Sequence, residues 1–365
     1  MKVAYDYQIF SIRQYGGVSR YFVELAAELS KCADTQIQIL APLIRSRCLS
    51  ESMSRISTLG IDLSSIPVLP NRLVRPINAM LFRAMAAITT PDIVHETHYT
   101  RSRTAPRSAK IVTTIHDAIP ERLPDHFSFS EQQKGLIRTV LKRADHIICV
   151  SQSTRRDLMD IYDVSPERVS VTLLGSSLAS PVDGPADIGM PYFLHVGIRH
   201  SYKNFNRIIQ AFGEAHLYRT HKLISFTGAS FSTAEIAAME TAGVPLSSVM
   251  QVSGDDQKLS RYYAGADALI FPSLYEGFGI PLLEAMRCGC PIITANTSSM
   301  PEVAGDAAIY CDPYDIRTIS DALIQVTSSA DERAKMVARG LERAQGFTWT
   351  RCAEETHKIY RDLLQ

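Results

Sequence analysis

The sequence predicts an α/β protein built from two parallel-sheet domains, and three observations carry that expectation. Short apolar strands alternate with amphipathic helices along most of the chain, the pattern of β-α-β units. A tract rich in glycine, proline and serine, residues 175–191, divides the chain near its middle. The 365 residues, 45% of them apolar, suffice for two domains that each bury a core.

Taken in order, residues 2–6 read as a first strand, followed by a polar loop ending in Gly16-Gly17. A helix follows over about residues 18–30, with Val18, Phe22, Leu25, Ala26 and Leu29 on one face. Residues 36–40 form a second strand. Residues 41–75, rich in serine, arginine and proline, give no clear periodicity. A helix is predicted over residues 77–89, with Met80, Leu81, Ala84, Met85 and Ile88 on one side. Strands follow at residues 92–95, 110–115 and 144–151, then a helix from Ser153 and a strand at 169–173. The run His95-Glu96-Thr97-His98 is one residue short of the zinc-binding His-Glu-x-x-His, so no metal role is expected there.

The second domain opens with the strand Tyr192–Gly197. A helix follows with Phe205, Ile208, Ile209 and Phe212 on one face. Arg199 and Lys203 lie between the two, where paired cations suit a diphosphate. Strands follow at residues 223–227 and 249–252. Asp255-Asp256 precedes a helix and reads as its cap rather than as a metal pair. Later come a strand at 307–311, helices at 315–327 and 331–345, and a terminal helix after Phe347-Thr348-Trp349.

Composition narrows the function. Net formal charge is zero, so no bulk attraction to nucleic acid is expected. The balance is uneven, however: residues 41–110 carry ten Lys/Arg against four Asp/Glu. Together with the methionine-bearing 77–89 helix, this makes the first domain a candidate for contact with an anionic membrane surface. The alternative is a helix that faces the core. Seven cysteines, an odd number without a Cys-x-x-Cys, suit free thiols in a reducing cytoplasm. No signal peptide and no spanning segment is expected, which places the chain in the cytoplasm, free or at the inner membrane face.

The stretch from Ala268 to Asn296 holds the densest chemistry. A strand, Ala268 to Phe271, leads into Tyr275-Glu276-Gly277-Phe278-Gly279-Ile280-Pro281, then a helix with Leu282, Leu283 and Met286 on one face, then the strand Ile292–Ala295. Gly277 and Gly279 let the backbone approach a ligand, and Pro281 suits the first turn of the helix. Free amides at such a helix start favour an anion. Glu276 and Glu284 can accept hydrogen bonds from hydroxyls. A sugar nucleotide, a diphosphate with many hydroxyls, matches both features.

That string resembles the donor-site signature of family-4 glycosyltransferases, retaining enzymes of the GT-B fold: Glu-x7-Glu around Gly-Phe-Gly, then Leu-Glu-Ala-Met. The resemblance covers nearly the whole chain and is loosest over residues 40–110. It implies two Rossmann-like domains facing a cleft, residues 1–180 and 190–346, and a C-terminal helix, 347–365, crossing back to the first. It implies that Lys203, with Arg199 and the backbone of Gly277, Phe278, Gly279 and Ile280, holds the diphosphate. Glu284 would bind the ribose and Glu276 the transferred sugar. Gly17, after Gly16, would line the donor phosphates, and His116, after a strand and before Asp117, would lie beside the transferred sugar. The arginine stands one place later than in the family pattern, where Ile198 takes its position. Catalytic roles fall to His116, Glu276 and Lys203, with no metal and no cofactor. The run His95–Tyr99 and Thr114–Asp117 looks most like bacterial mannosyl- or rhamnosyltransferases of surface polysaccharide. This implies a GDP-sugar and a glycan or lipid-linked glycan acceptor. A UDP-sugar transferase or a GT-B epimerase acting on a UDP-sugar is the alternative. A dinucleotide oxidoreductase is disfavoured, since no Gly-x-Gly-x-x-Gly follows the first strand.

Overall fold

The computed structural model describes residues 1–12, 14–66, 71–199 and 201–365, with the side chains of 71–73 and 130 left aside. The chain forms two compact units, Met1–Gly175 with Trp349–Gln365, and Ser176–Thr348.

The first unit holds β1 (Lys2–Tyr5), β2 (Gln36–Ile44), β3 (Thr58–Asp62), β4 (Ile93–Glu96), β5 (Lys110–Ile115), β6 (His146–Cys149) and β7 (Val169–Val171) in the order β3-β2-β1-β4-β5-β6-β7. Every neighbouring pair is parallel. Central strands such as β4 are buried along their whole length, because helices cover both faces of a parallel sheet. The C-terminal helix, Trp349–Leu364, packs against the Gly17–Leu29 helix of this unit, so the expected return to the first domain is observed.

The second unit holds β8 (Tyr192–Val196), β9 (Lys222–Phe226), β10 (Val249–Val252), β11 (Ala268–Phe271), β12 (Ile292–Ala295) and β13 (Ala308–Cys311) in the order β10-β9-β8-β11-β12-β13, again all parallel. Phe193, Phe205, Ile208, Phe212, Ile270 and Ile293 share its core. Removing their apolar surface from water, at about 25 cal/mol per Å², drives the packing of these short strands and helices.

Differences from the sequence expectation concentrate in residues 41–75. β2 extends to Ile44. A short helix, Arg47–Ser52, is capped by Ser46, whose Oγ accepts from the Leu49 amide. β3 is an edge strand with Leu59 and Ile61 exposed, so it lacks the apolar run of its neighbours. The helix expected from residue 77 spans Asn71–Thr89 and contains Pro76. A proline more often marks a first turn, which shifts a sequence-based start downstream. Its core stripe is Val74, Asn78, Phe82 and Ala86, while Ile77, Met80 and Ile88 are exposed and Leu81 and Met85 are half-buried. The helix Thr233–Thr241 was not anticipated either. It buries only Met239, so it shows no apolar stripe, and its sequence signal is the capping box of Ser232 and Glu235.

Candidate active site

In the second unit the chain runs outward from β8 through β9 and β10, then returns to the other side of β8 as β11. Ligands of open parallel sheets gather at such a switch point, beyond the carboxyl ends of the strands. The loops leaving β8 and β11 are joined there, the Leu274 amide donating to the Tyr202 carbonyl at 2.8 Å. Lys203 Nζ donates to Glu276 Oε1 at 2.7 Å. The ammonium also lies 4.9 Å from the Phe271 ring centroid and 5.3 Å from that of Tyr202. The Glu276 backbone is fixed from the loop after β12: its amide donates to Ser298 Oγ, and its carbonyl accepts from Ser299 Oγ, both at 2.9 Å.

The helix Ile280–Arg287 begins immediately after. Gly279 precedes it at φ +92°, a left-handed conformation that glycine adopts without strain, and among the described residues no side chain caps the helix. Of the first-turn amides, Pro281 has none and Leu282 donates to the Gly279 carbonyl at 2.9 Å, so the helix start offers an anion beside the Lys203–Glu276 pair chiefly its positive dipole end. Phe278 is buried, its ring meeting Phe347 edge-on at 6.0 Å, so its side chain anchors the loop and only its backbone is available to a ligand. Glu284, in the second turn, is also buried and accepts a hydrogen bond from Tyr263 OH at 3.0 Å.

Arg199 is held by partners within the protein. Its guanidinium is buried and makes four hydrogen bonds. Nε donates to Glu235 Oε1 at 2.6 Å, Nη1 to the Ala229 carbonyl at 2.8 Å, and Nη2 to the Ser230 carbonyl at 2.7 Å and Glu235 Oε2 at 3.3 Å. The Phe231 ring lies against it, 4.6 Å away. Burial pushes the Glu235 carboxyl up, but Arg199 and the bonds from Ser232 outweigh it and hold the group at about 2. The one-residue shift in sequence therefore turns this arginine into the clamp of the loop after β9. Lys203, by contrast, turns toward the loop after β11 and pairs with Glu276.

In the first unit, Gly16 and Gly17 are exposed at the start of the Gly17–Leu29 helix, again without a side-chain cap. His116 follows β5. Burial, with His98 adding, lowers its pKa to about 3, so the ring is neutral near pH 7. Its Nε2 is buried without a hydrogen-bond partner among the described residues. Nearby, Asp6 accepts from Gln8 Nε2 at 2.6 Å and from Thr97 Oγ1 at 2.6 Å, tying together the carboxyl ends of β1 and β4.

Several supporting residues lack a sequence signal of their own. Ser298 and Ser299 set Glu276, yet a serine pair after a strand reads only as a turn. Asn204, at φ +65°, donates from Nδ2 to the carbonyls of Pro272 and Pro313. Tyr263 and His195 are detectable only once the strands are paired. His195 is neutral as well, burial, Lys203 and Arg199 lowering it to about 3.

Two parallel-sheet units, with a cation–carboxylate pair and a helix start at the switch point of the second, define an open α/β protein with a ligand site beyond the carboxyl ends of its strands. The chain belongs to the group-1, family-4 glycosyltransferases: residues 15–176 match the Glycosyltransferase Family 4 model and residues 185–343 the Glycosyl transferases group 1 model. It is 29% identical over 276 residues to O-antigen chain mannosyltransferase B of Escherichia coli, covering 70% of this chain and 71% of that one. It is 26% identical over 304 residues to the serotype-specific mannosyltransferase WbdA of Escherichia coli, spanning 75% of this chain but 37% of that longer protein. In fold it is similar to Anabaena Alr3699/HepE in complex with UDP-glucose, at a TM-score of 0.73 and 14% identity, over 99% of this chain and 100% of that one.

Proposed function

We propose that the chain transfers a mannosyl or rhamnosyl group from a GDP-sugar, with retention at the anomeric carbon, to a glycan or lipid-linked glycan in surface polysaccharide synthesis. The observation that carries this reading is the contact of Lys203 with Glu276 beside the uncapped Ile280–Arg287 helix. The relatives named as an O-antigen chain mannosyltransferase and a serotype-specific mannosyltransferase support the sugar, and the first supports the pathway class. Lys203 and the amides of residues 277–280 neutralise the diphosphate. Glu284 accepts from ribose hydroxyls and Glu276 from those of the transferred sugar. The bond from the anomeric carbon to the phosphate oxygen breaks while the acceptor hydroxyl oxygen bonds to that carbon from the same face. The acceptor proton goes to the leaving phosphate. His116, being neutral, serves this step through position and one N–H rather than as a cation. Catalysis is then positioning and charge stabilisation, and it needs no enzymatic nucleophile and no metal.

The structure of HepE with UDP-glucose favours UDP-sugars as the second donor reading. Slow hydrolysis of a panel of GDP- and UDP-sugars, in EDTA, decides between them. Release of GDP alone supports the first reading, release of UDP alone the second, and turnover only with added manganese overturns the site as assigned.

The Asn71–Thr89 helix supports an acceptor held at a membrane. Its 19 residues include no acidic side chain, and Ile77, Met80 and Ile88 are exposed beside exposed Arg75 and Arg83. Arg72, on the same helix, has its side chain outside the described residues. An apolar ridge with only positive charge fits an anionic lipid surface, each arginine adding about 1 kcal/mol near the lipid.

A further inference from the structure

Five buried residues of the first unit form an unbroken hydrogen-bonded chain that ends against His116. Tyr360, near the end of the C-terminal helix, has its hydroxyl 3.0 Å from that of Tyr5 in β1 and 2.5 Å from Nδ1 of His95 in β4. His95 Nε2 lies 2.8 Å from Thr114 Oγ1 in β5, which is 3.4 Å from Tyr21 OH in the Gly17–Leu29 helix. All five side chains are essentially inaccessible to water, so no solvent molecule replaces a lost partner.

The chain has a direction. Burial lowers the His95 pKa to about 3, so the ring carries one N–H and one bare nitrogen. If Tyr360 donates to Nδ1, then Nε2–H donates to Thr114. If Nδ1–H donates to Tyr360, then Thr114 donates to Nε2. The tautomer therefore sets one arm of the line: in the first case Tyr5 must donate to Tyr360, and in the second Tyr21 must donate to Thr114.

The line stops at the imidazole of His116. The Tyr21 ring meets it edge-to-face, with centroids 5.0 Å apart and planes at 86°. Phe22 meets it at 5.8 Å and 81°, and the same Phe22 packs edge-to-face on His95 at 5.3 Å. With Nε2 of His116 unpartnered, these two rings hold the imidazole where a bond from that nitrogen does not.

We propose that Tyr360, His95 and Thr114 are positioning residues for the reaction: they fix Tyr21 and Phe22, and through those rings the orientation of His116. This rests on the role given above to His116 beside the transferred sugar. It also gives the returning C-terminal helix a catalytic consequence, since Tyr360 is its contribution to the line. A purely structural account would have the same bonds hold the helix in place and nothing more.

A double-mutant cycle separates the two. Tyr360→Phe and Thr114→Val each remove one hydroxyl with little change in volume. The readout is donor hydrolysis, with nucleoside diphosphate affinity and the thermal midpoint measured alongside. Each variant is expected to lower kcat about tenfold at unchanged donor KM and unchanged diphosphate affinity. In a His116→Ala background the same substitutions are expected to have no further effect. Equal losses in both backgrounds, or a kcat that neither substitution changes while His116→Ala lowers it, overturn the proposal. If His116→Ala itself leaves kcat unchanged, the role of His116 fails and the proposal falls with it, a result distinct from the other two.

Discussion

Glu276→Gln should tighten the binding of a nucleoside diphosphate while impairing transfer. Lys203 Nζ is bonded to Glu276 Oε1 at 2.7 Å, with the two side chains only 14% and 9% exposed. A diphosphate must compete with that carboxylate for the ammonium and accept its negative charge as a neighbour. Hydrogen bonds to charged groups contribute about 1.5–3 kcal/mol, against about 0.5–1.5 for neutral ones. Exchanging carboxylate for amide thus releases on the order of 1 kcal/mol of competing interaction, and the lost repulsion adds to it. The sheltered position keeps solvent from screening the effect away, as it does for surface pairs. The expected outcome is a Kd for GDP or UDP about five- to tenfold lower, read by titration calorimetry at fixed ionic strength. Donor turnover should fall in the same variant, since the transferred sugar loses its carboxylate acceptor. The unliganded protein should also melt earlier, Lys203 having lost its charged partner. Unchanged or weaker diphosphate binding refutes the view that Lys203 leaves Glu276 to meet the phosphates.

Glu284→Ala should weaken GDP or UDP binding about tenfold, because ribose hydroxyls lose a charged acceptor. It also strands the buried Tyr263 hydroxyl, so calorimetry should be paired with Glu284→Gln, which restores a partner for Tyr263; equal affinity in wild type and Glu284→Ala removes the ribose role. Arg72, Arg75 and Arg83 changed together to glutamate should abolish flotation with vesicles containing anionic lipid, and wild-type protein that stays soluble at low salt sinks the membrane assignment. Acid should destabilise the second unit through His195. Its folded pKa of about 3 lies below the ordinary 6.5, so its contribution is complete above pH 6.5 and declines as pH falls toward 3. At pH 5 that loss is about 2 kcal/mol. Glu235, lowered from 4.5 to about 2, loses its contribution only as pH falls from 4.5 toward 2, so it adds little between pH 7 and pH 5. His195→Gln should therefore show a smaller fall in Tm between pH 7 and pH 5, and an unchanged slope contradicts the assignment.

The sheets were legible because parallel strands buried on both faces read as continuous apolar runs, as in β5, β8 and β11. The edge strand β3, with Leu59 and Ile61 in solvent, carries no such run and was missed. At the site, Lys203 and Glu276 stood out because their residue types and loop positions were both informative. The protein partners of Arg199 were not legible, because a charge near a helix start says nothing about which partner it meets. Glu235 lies 36 residues away and reaches it only through the pairing of β8 with β9. Ser298, Ser299 and Tyr360 were invisible for the same reason: their partners are remote in sequence, and a serine or tyrosine has no distinctive pattern around it.

Retention and the role of Lys203 are both read by proton NMR of the sugar first released from an α-linked GDP-sugar by the intact chain in EDTA. The account predicts that the α-anomer appears first and that Lys203→Ala suppresses its release. Initial appearance of the β-anomer, or release at wild-type rate without Lys203, would contradict it.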